Sequence, residues 1–124
     1  MNDWSKIKHF TPSEFDSPDR PGSGDEMDMQ FIRKLDELRV CLGHPLHINS
    51  GYRTQEHNED VGGVEFSAHT RGLAADVRVV GNEQRYWLVS EALELGFQRI
   101  GIARGFVHLD TDLSLPCPRI WMYS

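Results

Sequence analysis

The spacing of apolar residues along the chain predicts two long amphipathic helices. Residues 26–42 carry apolar side chains at three- and four-residue steps, and Gly43 supplies a stop. A second run with this spacing starts at Asn82, whose side chain can cap a helix, and continues to Leu95, with Gly96 behind it. We expect the second helix to turn four residues toward the core, namely Trp87, Leu88, Ala92 and Leu95.

Alternating apolar and polar residues predict a set of strands. Residues 46–52 and 73–80 both alternate in the way that suits a half-buried strand. Residues 99–103 and 106–110 are separated by only two residues, the second of which is glycine, so we expect an antiparallel hairpin. Residues 120–123 follow a proline-containing loop and are predicted to form a short edge strand.

These elements combine into one fold class. A short helix is predicted between the first two strands, capped by Thr54 and ending near Val61. Together with the long helices and the strands, it indicates an α+β domain, in which a mainly antiparallel sheet has helices on one face and polar residues on the other. A length of 124 residues is typical of one domain, so we expect a single domain over residues 1–124.

Composition and charge narrow the range of functions. Apolar residues make up 39% of the chain and charged residues 26%, as in soluble globular proteins. The formal net charge of -6 provides no basic field for a phosphate backbone, which argues against nucleic acid as a partner. No apolar run reaches the roughly 18 to 20 residues of a membrane-spanning helix, and the charged N-terminal segment lacks the apolar core of a secretory signal. We therefore expect synthesis in the cytoplasm without a signal peptide, and no stable membrane insertion.

Candidate metal ligands follow from the alternation of side chains across the predicted strands. Asp76 lies on the face opposite to the apolar residues of its strand, and so points away from the core. By the same alternation, His108 and Asp110 share the polar face of a later strand. His69 lies in a loop of small residues that leads directly into the strand of Asp76. Two histidines and one aspartate can therefore converge on the polar face of the sheet.

Two imidazoles and a carboxylate suit zinc, and three protein ligands leave a fourth position for the water of a hydrolytic reaction. The spacing alone leaves a different interpretation open. His69 and His108 could be hydrogen-bonded structural residues, and Asp76 a solvated carboxylate at the end of a strand. In that case the protein would be a structural protein without metal.

Four motifs at these same residues carry a resemblance to a known family. They are residues 48–54 (Ile-Asn-Ser-Gly-Tyr-Arg-Thr), Asn58 with the glycines Gly62 and Gly63, the run Ser67-x-His69-x-x-Gly72-x-Ala74-x-Asp76, and residues 106–110 (Phe-Val-His-Leu-Asp). With them the chain strongly resembles the zinc D-Ala-D-Ala carboxypeptidase family of peptidoglycan peptidases. Relatives of that family include the dipeptidases of vancomycin resistance, phage endolysins and the hedgehog signalling domain. The resemblance runs from residue 10 to residue 123 and implies the hedgehog/DD-peptidase fold.

The resemblance implies a role for each matching residue. His69, Asp76 and His108 correspond to the zinc ligands of the family. Arg53 corresponds to the arginine that binds and polarises the substrate carbonyl, although a salt bridge at the strand end is the alternative. Ser67 corresponds to a position that lines the substrate pocket, but a serine in a tight loop can equally satisfy local backbone groups.

The general base is where the chain departs from the family. Relatives place an acidic residue three positions before the last zinc histidine, or a second histidine two positions before it. Those positions here are Gly105 and Phe106, and neither side chain can accept a proton. Asp110 is the nearest acid on the same strand face, and Glu65 in the loop before His69 is the next candidate.

Two roles are open for Asp110. It can act as the base, or it can be the hydrogen-bond partner that orients the ligand His108. A strand-end cap or a salt bridge to Arg104 or Arg119 is the structural alternative.

The resemblance predicts zinc-dependent hydrolysis of a peptide bond in bacterial peptidoglycan, by an endopeptidase or a D-alanyl carboxypeptidase. The expected partner is a stem or cross-link peptide of the cell wall, and the expected state is a monomer. With no secretory signal, a phage or prophage lysis enzyme that acts on the wall after release fits best. The alternative is a catalytically inactive, zinc-containing binding or assembly module of the same fold, because fold by itself does not establish activity.

Overall fold

The computed structural model describes residues 2–123. Its α-helices are α1 (Met29–Leu42), α2 (Gln55–Asp60) and α3 (Gly81–Glu94). Its strands are β1 (Ile48–Ser50), β2 (Ala74–Arg78), β3 (Arg99–Ile102), β4 (Phe106–Asp110) and β5 (Arg119–Met122). Short 3-10 helices cover Pro12–Phe15, Ser23–Glu26 and Ala68–Arg71. None of the helices in this described part is both long and apolar enough to cross a membrane.

The helix α1 starts later than its apolar spacing predicts. The Asp28 side chain accepts a hydrogen bond from the Phe31 backbone N–H at 3.0 Å and so caps the helix. Residues Ser23–Glu26 form a separate 3-10 helix before that cap. The predicted end is confirmed, because Gly43 follows the helix in the left-handed conformation with φ of 74°.

The short helix α2 is confirmed with its cap, since the Thr54 side chain accepts from the His57 backbone N–H. In α3, by contrast, the predicted cap is wrong. The capping position is Val80, which has no side-chain cap bond, and Asn82 lies inside the helix, where its side chain accepts from Arg85. A glycine with positive φ at Gly81 begins this helix without a polar side chain.

The inward-facing stripe of α3 is narrower than predicted. Leu88 and Ala92 are buried and Leu95 packs partly against the core, as expected. The expectation for Trp87 is wrong, because its side chain is 50% exposed and packs edge-on against Tyr86 at 5.0 Å. Trp87 precedes Leu88 by about 100° of helical rotation, which takes its ring out of the contact with the sheet.

The sheet has the strand order β1-β2-β4-β3-β5, with antiparallel pairing between the first four strands of that order. The predicted β3–β4 hairpin and the terminal edge strand are therefore confirmed. Strand β5 pairs with β3 in parallel, with Arg119 beside Arg99. Strand β4 ends beside the start of β3. The short loop that follows therefore lets β5 begin at the same end of the sheet and run in the direction of β3. The α+β class with a mainly antiparallel sheet is confirmed, with this one parallel pairing in a mixed sheet.

Helices α1 and α3 cover one face of the sheet and leave the other for polar residues. Side chains of α1 and α3 pack against side chains of β2, β3 and β4 in one apolar cluster. Its fully buried members include Phe31, Leu35, Leu38, Val77, Ile100, Val107 and Leu109. On the opposite face, the strand register aligns Ser50, Asp76, His108, Gly101 and Trp121 in one row across all five strands. This row is the floor of the candidate site.

The close approach at Gly51 yields a stability prediction. A Cβ atom at Gly51 would come within 2.8 Å of the Phe15 Cα and Cβ atoms. Because neither atom can move without disturbing the core, Gly51→Ala should lower the free energy of unfolding by about 1–3 kcal/mol, as overpacking does. Urea denaturation measures this change. The control is Gly105→Ala, where an added Cβ meets nothing within 4 Å; an equal loss in both variants would contradict the steric explanation.

Candidate active site

A cleft of about 570 Å³ lies above the polar face of the sheet. It brings together every residue that the sequence proposed for the site: Arg53, Glu65, Ser67, His69, Asp76, His108 and Asp110. These residues come from two loops and two neighbouring strands, so the fold joins parts of the chain that are up to 57 residues apart in the sequence.

Three of these residues form a compact cluster of atoms of the kind that can hold a metal ion. Asp76 on β2 lies directly across from His108 on β4, and His69 reaches them from the 3-10 helix before β2. The Asp76 Oδ1 atom is 3.3 Å from His69 Nε2 and 2.9 Å from His108 Nδ1. All three residues are buried, and their ligand atoms lie within 4.8 Å of one another. No other group of three or more such residues lies this close in residues 2–123.

The orientation of His69 is set by its backbone surroundings. Its Nδ1 atom lies 2.8 Å from the Gly51 carbonyl oxygen. Because a carbonyl can only accept, Nδ1 must carry the proton, which leaves the lone pair of Nε2 directed at Asp76. The His69 backbone is held as well, by the Arg53 N–H on its carbonyl and by the Ser67 hydroxyl on its N–H. The loop therefore presents one defined nitrogen to the cluster.

The His108 ring lies between two carboxylates. Its Nδ1 atom faces Asp76, and its Nε2 atom lies 2.7 Å from Asp110 Oδ2. Asp110 is only 1% exposed, and its carboxylate also accepts from Arg99 Nε at 2.9 Å and from the Asp112 backbone N–H at 3.1 Å. The Asp110 carboxylate therefore contacts the edge of the imidazole that points away from Asp76.

The arginine that pairs with Asp110 is not one of the two predicted from the sequence. Arg99 forms the ion pair because it is the cross-strand neighbour of Asp110 in the β3–β4 hairpin. Arg104 lies in the turn at the opposite end of the hairpin, and Arg119 lies one strand further away, beside Arg99. The register of the strands therefore decides which arginine pairs with Asp110. Residue spacing alone does not give this register for β5.

The electrostatics of the cluster favour a bound cation. Burial raises the pKa of Asp76, but the adjoining His108 and His69 rings outweigh this and hold that pKa well below its usual range. Burial lowers the pKa of His69, so its imidazole is neutral. Burial also acts to lower the pKa of His108, but the hydrogen bonds to Asp110 and Asp76 raise it. A carboxylate and two imidazoles, one of them backed by a second carboxylate, are a donor set that fits zinc.

Arg53 is fixed above the outer oxygen of Asp76. Its guanidinium donates to Asp76 Oδ2 at 3.3 Å, to Asn58 Oδ1 at 3.2 Å and to the Ser50 hydroxyl at 3.1 Å. The ion pair that the sequence left as an alternative is thus present, and the same side chain lines the cleft. A guanidinium has five N–H groups, so donors remain for a ligand.

Ser67 and Glu65 occupy the loop on one side of the cleft. Ser67 is buried, and its hydroxyl accepts from the His69 backbone N–H at 3.2 Å, which is the local role that the sequence left open. Glu65 is exposed. Three carboxylates of residues 2–123 line the cleft: Glu65 is exposed, whereas Asp76 and Asp110 are buried.

The rim of the cleft beside Glu65 is apolar. Phe66 is 71% exposed and has a φ of 59°, which among residues 2–123 makes it the one non-glycine residue in the left-handed region. Its carbonyl oxygen accepts from Arg71, which forms an ion pair with the buried Asp112. Val64 is also exposed, and its carbonyl oxygen accepts from Asn58. Hydrogen bonds to these two backbone carbonyls fix the loop, so that the exposed side chains of Val64 and Phe66 lie at the mouth of the cleft.

The opposite wall holds aromatic residues to which the sequence assigned no specific role. The Trp121 ring lies 5.3 Å from the His108 ring, with the Arg99 guanidinium 4.8 Å above the Trp121 ring. Tyr123 packs against Phe106 at 5.3 Å. Alternation within the terminal segment could have indicated that Trp121 and Tyr123 share a face, but not which strand β5 would join.

A comparison with protein families identifies the chain. The model of the family described as Peptidase M15 matches residues 8–110. No curated protein matches the chain. The match covers most of the sequence, includes the His69, Asp76 and His108 cluster together with Arg53, and ends at Asp110, before β5. The resemblance found in the sequence is therefore confirmed, and the chain belongs to peptidase family M15, the zinc D-Ala-D-Ala carboxypeptidase family.

Proposed function

We propose that this protein is a zinc-dependent peptidase that hydrolyses a peptide bond in bacterial peptidoglycan, as an endopeptidase or a D-alanyl carboxypeptidase. The observation that carries the proposal is the buried cluster of His69, Asp76 and His108 at the base of an open cleft, with Arg53 beside it. Membership in a metallopeptidase family supports the reaction type. A lysis enzyme of a phage or prophage is the biological role that we favour, on the resemblance to endolysins.

We assign His69 Nε2, the Asp76 carboxylate and His108 Nδ1 as the zinc ligands. The assignment is supported by the distances to Asp76 Oδ1 and by the proton that the Gly51 carbonyl holds on His69 Nδ1. Zinc bound by three protein ligands activates a water molecule and polarises a carbonyl group. Metal analysis of protein purified without added zinc tests the assignment, and a stoichiometry near zero would contradict it.

We assign to Arg53 the role of binding the substrate carbonyl. Its guanidinium is held by Ser50, Asn58 and Asp76, so it needs little reorganisation when negative charge develops on the carbonyl oxygen. Ser67 holds the His69 loop and lines the cleft. We assign it to substrate binding on that basis.

For Asp110 we propose the role of orienting His108. Its carboxylate already accepts from Arg99, from the Asp112 backbone and from His108, and although Asp110 lines the cleft, it is only 1% exposed. Its contact with Nε2 leaves Nδ1 of His108 for the metal. Glu65, the exposed carboxylate of the cleft, is then the candidate for accepting the proton of the attacking water.

Asp110→Asn should weaken zinc binding about 10- to 100-fold, because an amide is a poorer partner for an imidazole than a carboxylate. Competition with a chromophoric zinc chelator measures the affinity. The matched control is Asp36→Asn, another buried aspartate, whose carboxylate accepts from the Lys8 and His9 backbones away from the cleft.

A different result would assign a different role to Asp110. A fall of about 10² to 10⁴ in rate with zinc binding intact would make it the base. Near-normal rate and zinc content would make it a structural residue, and Glu65 would be the next residue to replace.

The cleaved bond can be read from the products. Peptidoglycan fragments are incubated with zinc-loaded protein and with zinc-stripped protein, and the products are analysed by mass spectrometry. Free D-alanine identifies a carboxypeptidase, and separated cross-linked stems identify an endopeptidase. No new termini with either protein would contradict the proposal and favour the inactive binding module, which the absence of a proton acceptor at Gly105 and Phe106 already supports.

A further inference from the structure

The hydroxyl group of Tyr123 is a hydrogen-bond donor at the cleft to which the proposed function gives no role. Tyr123 follows β5 and continues its pairing, since its backbone N–H donates to the Ile102 carbonyl at 2.8 Å. Its ring packs against Phe106 and lies 6.4 Å from the Trp121 ring. The residue is 44% exposed and lines the same cleft as Arg53 and the metal-binding cluster.

Gly101 shows how far the Tyr123 ring reaches over the sheet. Gly101 is the cross-strand partner of His108 on one side and of Trp121 on the other. A Cβ atom at Gly101 would lie 2.7 Å from Tyr123 Cε2 and 2.7 Å from Trp121 Nε1. Both rings therefore cover the backbone of Gly101, immediately beside His108. The hydroxyl is attached one carbon beyond Cε2, and Tyr123 lines the same cleft as His69, Asp76 and His108.

The proton of this hydroxyl is available to a ligand. The Trp121 indole nitrogen faces the same Gly101 backbone as the Tyr123 ring, and because an indole N–H can only donate, it does not compete for the phenol proton. Burial raises the pKa of Tyr123, so the phenol keeps its proton at neutral pH.

Apart from the Trp121 N–H, the other side chains on this side of the cleft either cannot donate a hydrogen bond or are already engaged. Gly105 has no side chain, Phe106 is apolar, and the Arg99 guanidinium is paired with Asp110, donates to the Pro116 carbonyl and stacks on the Trp121 ring. Arg53 approaches the cluster from the β1 side of the sheet, whereas Tyr123 approaches it from the β3 and β5 side. A carbonyl oxygen held between two donors is stabilised more strongly as charge develops on it than one held by a single donor.

We propose that Tyr123 is a catalytic residue whose hydroxyl donates a hydrogen bond to the oxygen of the substrate carbonyl, from the side of the cleft opposite to Arg53. The inference rests on the proposed peptidase function. It lies beyond the family match, which ends at Asp110. The role requires no proton transfer, because a neutral phenol donates to the developing oxyanion and keeps its proton.

The test is Tyr123→Phe, which removes one oxygen atom and keeps the ring that packs against Phe106. We expect kcat on peptidoglycan fragments to fall about 10²-fold, as for the loss of one oxyanion donor, with KM and zinc content close to wild type. The matched control is Tyr86→Phe on the outer face of α3, which should change neither constant.

A second measurement does not depend on turnover. A phosphinate analogue of D-alanyl-D-alanine carries tetrahedral oxygens in place of the planar carbonyl, and calorimetry gives its affinity for the zinc-loaded protein. Tyr123→Phe should weaken this affinity by a factor similar to the loss in kcat. Wild-type kcat and phosphinate affinity in Tyr123→Phe would overturn the inference while leaving the proposed function intact, as would loss of zinc from that variant. A wild-type protein that neither cleaves fragments nor binds the phosphinate would overturn both.

Discussion

His108→Ala should abolish peptide hydrolysis and remove zinc from the protein. The substitution takes away the nitrogen that lies 2.9 Å from Asp76 Oδ1, which leaves only one imidazole and one carboxylate for the metal. Since losing an outer hydrogen-bond partner already costs about 10- to 100-fold in affinity, the loss of a direct ligand should cost more than that. Atomic absorption after dialysis measures the metal content, and product analysis by mass spectrometry measures the activity.

The stability of the same variant gives a second readout. A metal that binds only the folded state at 100 times its dissociation constant stabilises it by about 2.7 kcal/mol. Wild-type protein should therefore unfold at a higher temperature when zinc is added, and His108→Ala should not. The control is His44→Ala, because His44 is an exposed histidine outside the cleft. Full zinc content and full activity in His108→Ala would refute the ligand assignment.

Arg53→Lys should lower kcat by about 10²-fold while zinc stays bound. The guanidinium reaches Ser50, Asn58 and Asp76 through three different nitrogen atoms, whereas the lysine ammonium is a single point of donation. Lysine can keep the positive charge near Asp76, but it cannot keep the forked geometry that fixes the donor aimed at the carbonyl oxygen. The loss should therefore appear mainly in kcat, as expected for an interaction that strengthens in the transition state.

Steady-state kinetics with a metal assay on the same samples separate this effect from a loss of zinc. Arg78→Lys is the matched control, because Arg78 lies on β2 with Asp76 but is exposed. Unchanged kinetics in Arg53→Lys would exclude the oxyanion role and leave Arg53 as the ion-pair partner of Asp76. A rise in KM alone would indicate that Arg53 binds the substrate equally in its ground state and its transition state.

Local patterns in the sequence predicted much of the fold and the three residues of the buried cluster. Periodic apolar residues predicted α1 and α3, and the two-residue turn predicted the β3–β4 hairpin, since both signals are contained within a short window of chain. Alternation placed Asp76 and His108 on the polar face of their strands, because side chains alternate whatever the surroundings. Sequence resemblance then connected the loop of His69 to these strands.

The contacts that give each site residue its chemistry were decided by the tertiary structure. The proton on His69 Nδ1 depends on the Gly51 carbonyl, 18 residues away, and the partner of Asp110 depends on the register of the hairpin. The parallel pairing of β5 brings Trp121 and Tyr123 over Gly101, beside His108. Hydrogen bonds and ring contacts of this kind join residues that are distant in the chain. Their geometry therefore depends on how the strands assemble and not on the order of residues within any one strand.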